Sequence, residues 1–131
     1  MEPSIQQYLY EENKLYELLC SKLNEKTEFK IEKDVKWGRT SNLQIFDLVV
    51  SKNNTPHAIF EIKHTKNVTN IKRIKEFIFS RTPASLFILY FSIEQNYCIS
   101  FREFDKEPII TQEIQRVIDI ICDTKNPEDK T

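Results

Sequence analysis

Glu61 and Lys63 stand two residues apart in AIFEIK, on a segment that otherwise reads as a short apolar strand. Side chains alternate along a strand, so His57, Ile59, Glu61 and Lys63 should share one face and Ala58, Phe60 and Ile62 the other. Asp47 interrupts the preceding apolar run, QIFDLVV, in the same way. If the two runs form a hairpin folded about Asn54, positions equally spaced from that residue face each other, and Asp47 lies opposite Glu61. Directly opposed residues bring their Cβ atoms to about 4.5–5.5 Å, where like charges destabilise the pair. A cation between them would turn the repulsion into binding. A third carboxylate comes from the first helical segment. Glu12 falls in the middle of the arc held by Ile5, Leu9, Tyr16, Leu19 and Leu23, whereas Glu11 and Glu17 fall outside it. A helix laying that stripe on a sheet carries Glu12 inward, where an unpaired carboxylate is costly and needs a partner. Oxygen ligands without His or Cys suit a hard cation, Mg²⁺ or Mn²⁺, with water completing its shell. A lysine beside it can hold the attacking water or a phosphate oxygen, which is the equipment of metal-assisted phosphodiester hydrolysis.

The elements that must position these residues follow from periodicity and turn signals. PSIQQYLYEENKLYELLCSKLNEK predicts a helix, with Ser4 and Gln7 spaced as a capping box. FKIEKDVKW predicts a strand, and Trp37 and Arg39 stand where it ends, beside the chain's single glycine. QIFDLVVS and HAIFEIK predict strands joined through KNNTP. NIKRIKEFIFS predicts a helix with Ile71, Ile74 and Ile78 on one side. SLFILYFS is a continuous apolar run, expected of a strand buried on both faces, so Phe87, Tyr90 and Phe91 belong to the core. NYCISFREF predicts a further strand, and TQEIQRVIDIIC a closing amphipathic helix with Thr111 as its cap. The order predicts an α/β fold around a mixed sheet, with residues 1–123 as a single domain and 124–131 as a frayed tail.

On these residues a resemblance can be stated. FDLVV, a short connection and then AIFEIK resemble the paired-strand motif of the PD-(D/E)xK phosphodiesterase superfamily, the restriction-endonuclease-like fold. Asp47, Glu61 and Lys63 are the matching residues, and Glu12 matches the acidic residue on that family's first helix. The likeness runs from the first helix through SLFILYFS and is greatest to the nuclease-type segment that opens type I restriction motor subunits. Phe46 stands where the motif's name has proline, a permissive position, and the helix after EIK lacks the Gln-x-x-x-Tyr pattern of the RecB-like branch. The resemblance implies a three-layer domain with a helix-strand-strand-strand-helix-strand core. It implies a metal-dependent nuclease acting on DNA in restriction or mobile-element defence. Glu12, Asp47 and Glu61 would hold Mg²⁺ (or Mn²⁺), with the Ile62 carbonyl as a further ligand. Lys63 would position water, acting with Glu61 and Asp47 in catalysis.

Composition sets the bounds. A chain of 131 residues with 40% hydrophobic content can bury one modest core. Its net charge of −1 makes the whole molecule no magnet for nucleic acid, but residues 62–81 hold six Lys or Arg against one acid. Lys66, Lys72, Arg73, Lys75 and Arg81 could line a phosphate backbone, or form an ordinary solvated helix face. Grip on duplex DNA could also come from a homodimer or a partner subunit. The odd set Cys20, Cys98 and Cys122 lacks metal-ligand spacing and reads as reduced thiols. With no signal peptide pattern and no apolar run of membrane-spanning length, the expectation is a soluble, cytoplasmic protein. His57 and His64 read as surface histidines. The rival to the nuclease is a catalytically inactive nuclease-fold domain that binds nucleic acid or protein. For that rival, Glu61 and Lys63 are a plain ion pair on a wet sheet face.

Overall fold

The structure is a computed structural model and describes residues 5–23, 26–37, 44–63, 68–92, 94–95 and 97–124. Ser4 of the expected capping box, Arg39, His64, Lys66 and all of the expected tail after Thr124 lie outside the described residues. Among the described residues the order is α1 (Ile5–Leu23), β1 (Phe29–Trp37), β2 (Gln44–Lys52), β3 (Thr55–Ile62), α2 (Ile71–Phe79), β4 (Leu86–Ser92), β5 (Tyr97–Arg102), β6 (Ile109–Thr111) and α3 (Ile114–Asp123). The strands form one sheet in chain order, antiparallel except for the β3–β4 pair. A parallel pair cannot be closed by a tight turn, and α2 supplies the crossover. This is the expected α/β architecture with a mixed sheet between helices.

Two apolar clusters make it three-layered. Leu15, Leu19 and Leu23 of α1 and Val117, Ile118 and Ile121 of α3 pack on Leu48, Val50, Ala58 and Phe60. On the other face, Ile78 of α2 packs on Ile59, Phe87, Leu89 and Phe91, with Ile71 and Ile74 beside it. Strand β4 contributes to both and is buried along its whole length.

Several expectations need correction. The inward face of α1 is not the arc through Ile5 and Leu9, which are 78% and 48% exposed. It runs through half-buried Tyr8 and buried Glu12, Leu15, Leu19 and Leu23. These spacings of three and four follow the helical period closely. Glu11, expected outside the buried arc, is buried as well, and the Tyr90 hydroxyl donates to its Oε2 at 3.4 Å. Thr111 does not cap α3. It ends the short edge strand β6, and Glu113 stands at the helix start without a side-chain cap. Three residues are too few to display a period, so β6 was invisible in the sequence.

The β2–β3 hairpin reaches its expected register by an unexpected route. Asn53 and Asn54 both take left-handed backbone (φ 51° and 66°), as a two-residue hairpin turn demands, and pair Lys52 with Thr55. Continued without interruption, that pairing would set Asp47 opposite Phe60. A bulge intervenes: Ser51 pairs with Pro56 but Val50 pairs with Ala58, leaving His57 as the extra residue. The shift of one position aligns Asp47 with Glu61. It also turns His57 to the α1/α3 face, where it is fully buried, its Nε2 2.8 Å from the Ile121 carbonyl and its ring near Phe29. The expected surface histidine, on one face with Ile59 and Glu61, is therefore a core residue.

Candidate active site

Asp47 sits where the sheet opens on both sides. The β1–β2 ladder pairs Lys33 with Leu48 and Val35 with Phe46 but skips the position between them, Asp34 opposite Asp47. The β2–β3 ladder runs down to Leu48 and Phe60 and ends one position short of Asp47 and Glu61. Both strands turn over at this point. Phe29, Ile31, Leu48 and Val50 belong to the α1/α3 cluster, whereas Val35, Trp37 and Phe46 belong to the α2 cluster. Asp34 accommodates the turnover with a left-handed backbone, φ 52°, a conformation that Asp tolerates better than most residues.

Side chains take up the backbone groups that the open ladder releases. The Ile62 N–H donates to Asp47 Oδ2 at 2.8 Å, and the Asp47 N–H donates to Glu61 Oε1 at 3.2 Å. The Tyr8 hydroxyl of α1 donates to Asp47 Oδ1. Each carboxylate thus bonds the opposing strand, which holds two like charges near each other at the end of the hairpin.

The expected site residues divide into two groups that meet at Asp47. Glu12 and Asp47 come together with Asp34, one carboxylate oxygen from each lying within 4.8 Å of the others. Glu61 and Lys63 are not in that group; they line a cavity of about 150 Å³ with Phe46, Ile74, Ile78 and Phe87, toward α2. Ile62 enters through its N–H. Asp34 gives no signal in the sequence, because alternation along a regular strand sets it with Lys30, Glu32 and Lys36, all of them exposed. Tyr8 was missed because the helical arc was drawn through Leu9.

Electrostatics follow the burial. The Glu61 carboxyl is pushed up to about 7, chiefly by burial and then by the Asp47 charge; the Asp47 N–H and Lys63 oppose the shift. Burial also raises Glu12, helped by Asp34 and opposed by Lys33. Lys33 is itself occupied, donating to Asn13 Oδ1 and lying over the Tyr16 ring. Glu12 Oε2 is buried without a hydrogen-bond partner among the described residues.

The expected basic face is only partly available. Lys72 and Arg73 are exposed on α2, but Lys75 Nζ donates to the Asp105 carbonyl in the β5–β6 connection. Arg81 is exposed and lies over the Phe77 ring, 3.7 Å from its centre. No described helix is long and apolar enough to cross a membrane.

No protein-family model matches the chain, and no curated protein matches it in sequence. In three dimensions it is similar to a nuclease candidate of the DUF820 group from Anabaena variabilis. The superposition has a TM-score of 0.56 at 10% identity and covers 78% of this chain. The chain spans 65% of that neighbour's length. At this identity the likeness is one of fold. The chain shares that neighbour's α/β fold, here a mixed sheet of six described strands between helical layers.

Proposed function

We propose that the chain is a metal-dependent nuclease that hydrolyses phosphodiester bonds in DNA, with restriction or mobile-element defence as its setting. The observation that carries this reading is the opening of the ladder around Asp47, with Glu61 bonded across the gap and Lys63 lining the same cavity as Glu61. A hairpin that only had to be stable would continue its ladder with apolar or neutral pairs rather than gather carboxylates at its end.

The donor set fits a hard divalent cation. The available ligands are carboxylate oxygens, and Glu12 Oε2 has no other partner among the described residues. Glu12 and Asp47 would hold Mg²⁺ or Mn²⁺, with the Ile62 carbonyl as a further ligand, while Glu61 stands beside them across the open ladder. When bound, such a cation lowers the pKa of water and offsets charge on the phosphoryl oxygens. The chain's own groups do the rest. Lys63 holds the attacking water or a non-bridging phosphate oxygen and offsets charge in the transition state. Glu61, raised toward neutrality, accepts the water's proton as oxygen bonds to phosphorus. The ester P–O bond breaks, and the departing oxygen takes a proton from solvent. Exposed Lys72 and Arg73 contact the phosphate backbone.

The test is incubation of the purified protein with plasmid and single-stranded DNA in Mg²⁺, Mn²⁺ or EDTA. Cleavage should require metal, and Lys63→Ala should lower it by about 100-fold or more, as loss of one preorganised electrostatic group does. Equal cleavage by Lys63→Ala would overturn the assigned chemistry. Binding without cleavage in either metal would instead establish the rival, a non-catalytic nucleic-acid-binding module.

A further inference from the structure

We propose that Asp34 is a metal ligand, and that a divalent hard cation of the Mg²⁺ or Mn²⁺ class is held between Glu12, Asp34 and Asp47 where β1 and β2 part. Asp34 lies on β1, outside the Asp-Glu-Lys pattern of β2 and β3, so that pattern gives it no role.

Three observations converge on the cation. First, carboxylate oxygens from α1, β1 and β2 lie within 4.8 Å of one another. At such separations three ionised acids repel strongly unless a cation lies among them. Second, Glu12 is only 4% exposed, and its Oε2 has no hydrogen-bond partner among the described residues. A buried carboxylate oxygen without a donor is costly, and a metal bond removes the cost. Third, the backbone that presents Asp34 is not a relaxed strand. Its φ of 52° coincides with the skipped Asp34/Asp47 pair and with the turnover of both strands. Two ligands would come from the interior and the opened ladder, while exposed Asp34 leaves a side open for the waters these cations retain. Lys33, the nearby cation that partly offsets Glu12, already serves Asn13 and the Tyr16 ring.

The inference deepens the hydrolase reading and takes Asp47 from it, but its readout is cation binding, so the two can fail separately. Mn²⁺ is titrated into the full chain and followed by electron paramagnetic resonance, with melts in EDTA as the folding control. Variants are Asp34→Asn, Asp34→Gly, Lys63→Ala and, as a surface-acid control, Asp119→Asn. Asn and Gly both tolerate left-handed backbone, so the two Asp34 variants should fold at least as well as wild type without metal. Both should bind Mn²⁺ at least about tenfold more weakly, since losing even an outer-shell partner costs that much. Asp119→Asn and Lys63→Ala should bind as wild type does, even where Lys63→Ala abolishes cleavage. Wild-type affinity in Asp34→Gly would reduce Asp34 to a strained backbone position and overturn the proposal. So would a wild type that binds no Mn²⁺ at millimolar concentration.

Discussion

Glu61 concentrates the energetic tension of the site in one side chain. It is pushed up to about 7 from an ordinary 4.5, because burial and Asp47 both oppose its ionised form. A folded-state value above the unfolded one means that this group's contribution is fully present below about 4.5. It is lost as pH rises through about 7. In EDTA, wild type should therefore lose up to about 3 kcal/mol between those limits relative to Glu61→Gln. Gln keeps an oxygen to accept the Asp47 N–H but carries no titrating charge. Denaturant melts of both proteins across this range measure the difference, and parallel curves would show that Glu61 ionises freely. Saturating Mg²⁺ should flatten the difference, because a bound cation restores the ionised form in the folded state. Cys98 shows burial acting without chemistry: its thiol is pushed up to about 12 and stays protonated among apolar neighbours.

Two departures from regular strand geometry build the site at the scale of elements. The bulge at His57 aligns Asp47 with Glu61, and the left-handed Asp34 turns β1 and β2 over beside them. The bulge is anchored by His57 itself, whose Nε2–H donates to the Ile121 carbonyl of α3. Burial lowers the His57 pKa, only partly offset by that hydrogen bond, so the neutral ring is the folded form. A depressed value gives stability that is present above the unfolded pKa of about 6.5 and is lost as pH falls below it. His57→Phe should remove this acid-side loss and expose, by difference, the opposing trend from Glu61. Protection against hydrogen exchange, after allowance for the intrinsic pH dependence of amide exchange, should fall in α3 before β4 as the pH drops from about 6.5 to about 5, because charging the buried ring favours opening of the face that α3 covers. Simultaneous loss of protection in both elements would place the acid effect elsewhere. On the other face, α2 carries the exposed basic residues but also fixes Lys75 to the Asp105 carbonyl.

At the scale of the whole molecule, a near-neutral chain must bind a polyanion through a local patch. Lys72→Ala with Arg73→Ala should weaken DNA binding at low salt. For every phosphate no longer neutralised, the plot of log affinity against log salt should flatten by roughly 0.9 for duplex DNA. Lys75→Ala should alter the slope less, since its ammonium is already bonded to the protein, and an equal effect would mean that this bond opens on binding. Most of the layered fold was legible in the sequence. Alternation and continuous apolar runs reflect burial directly, and β1 and β4 stand where FKIEKDVKW and SLFILYFS placed them. The identity of Glu12, Asp47, Glu61 and Lys63 as misplaced charges was legible for the same reason: each interrupts an apolar period. What only the tertiary structure decided is how those charges divide. Periodicity assumes an unbroken strand, and this site lies where the strands break. A one-residue bulge and one left-handed residue redirect side chains through a local change of backbone that no alternation encodes. Tyr8 and Asp34 therefore join Glu12 and Asp47 through the meeting of α1, β1 and β2, while Glu61 and Lys63 face the cavity toward α2.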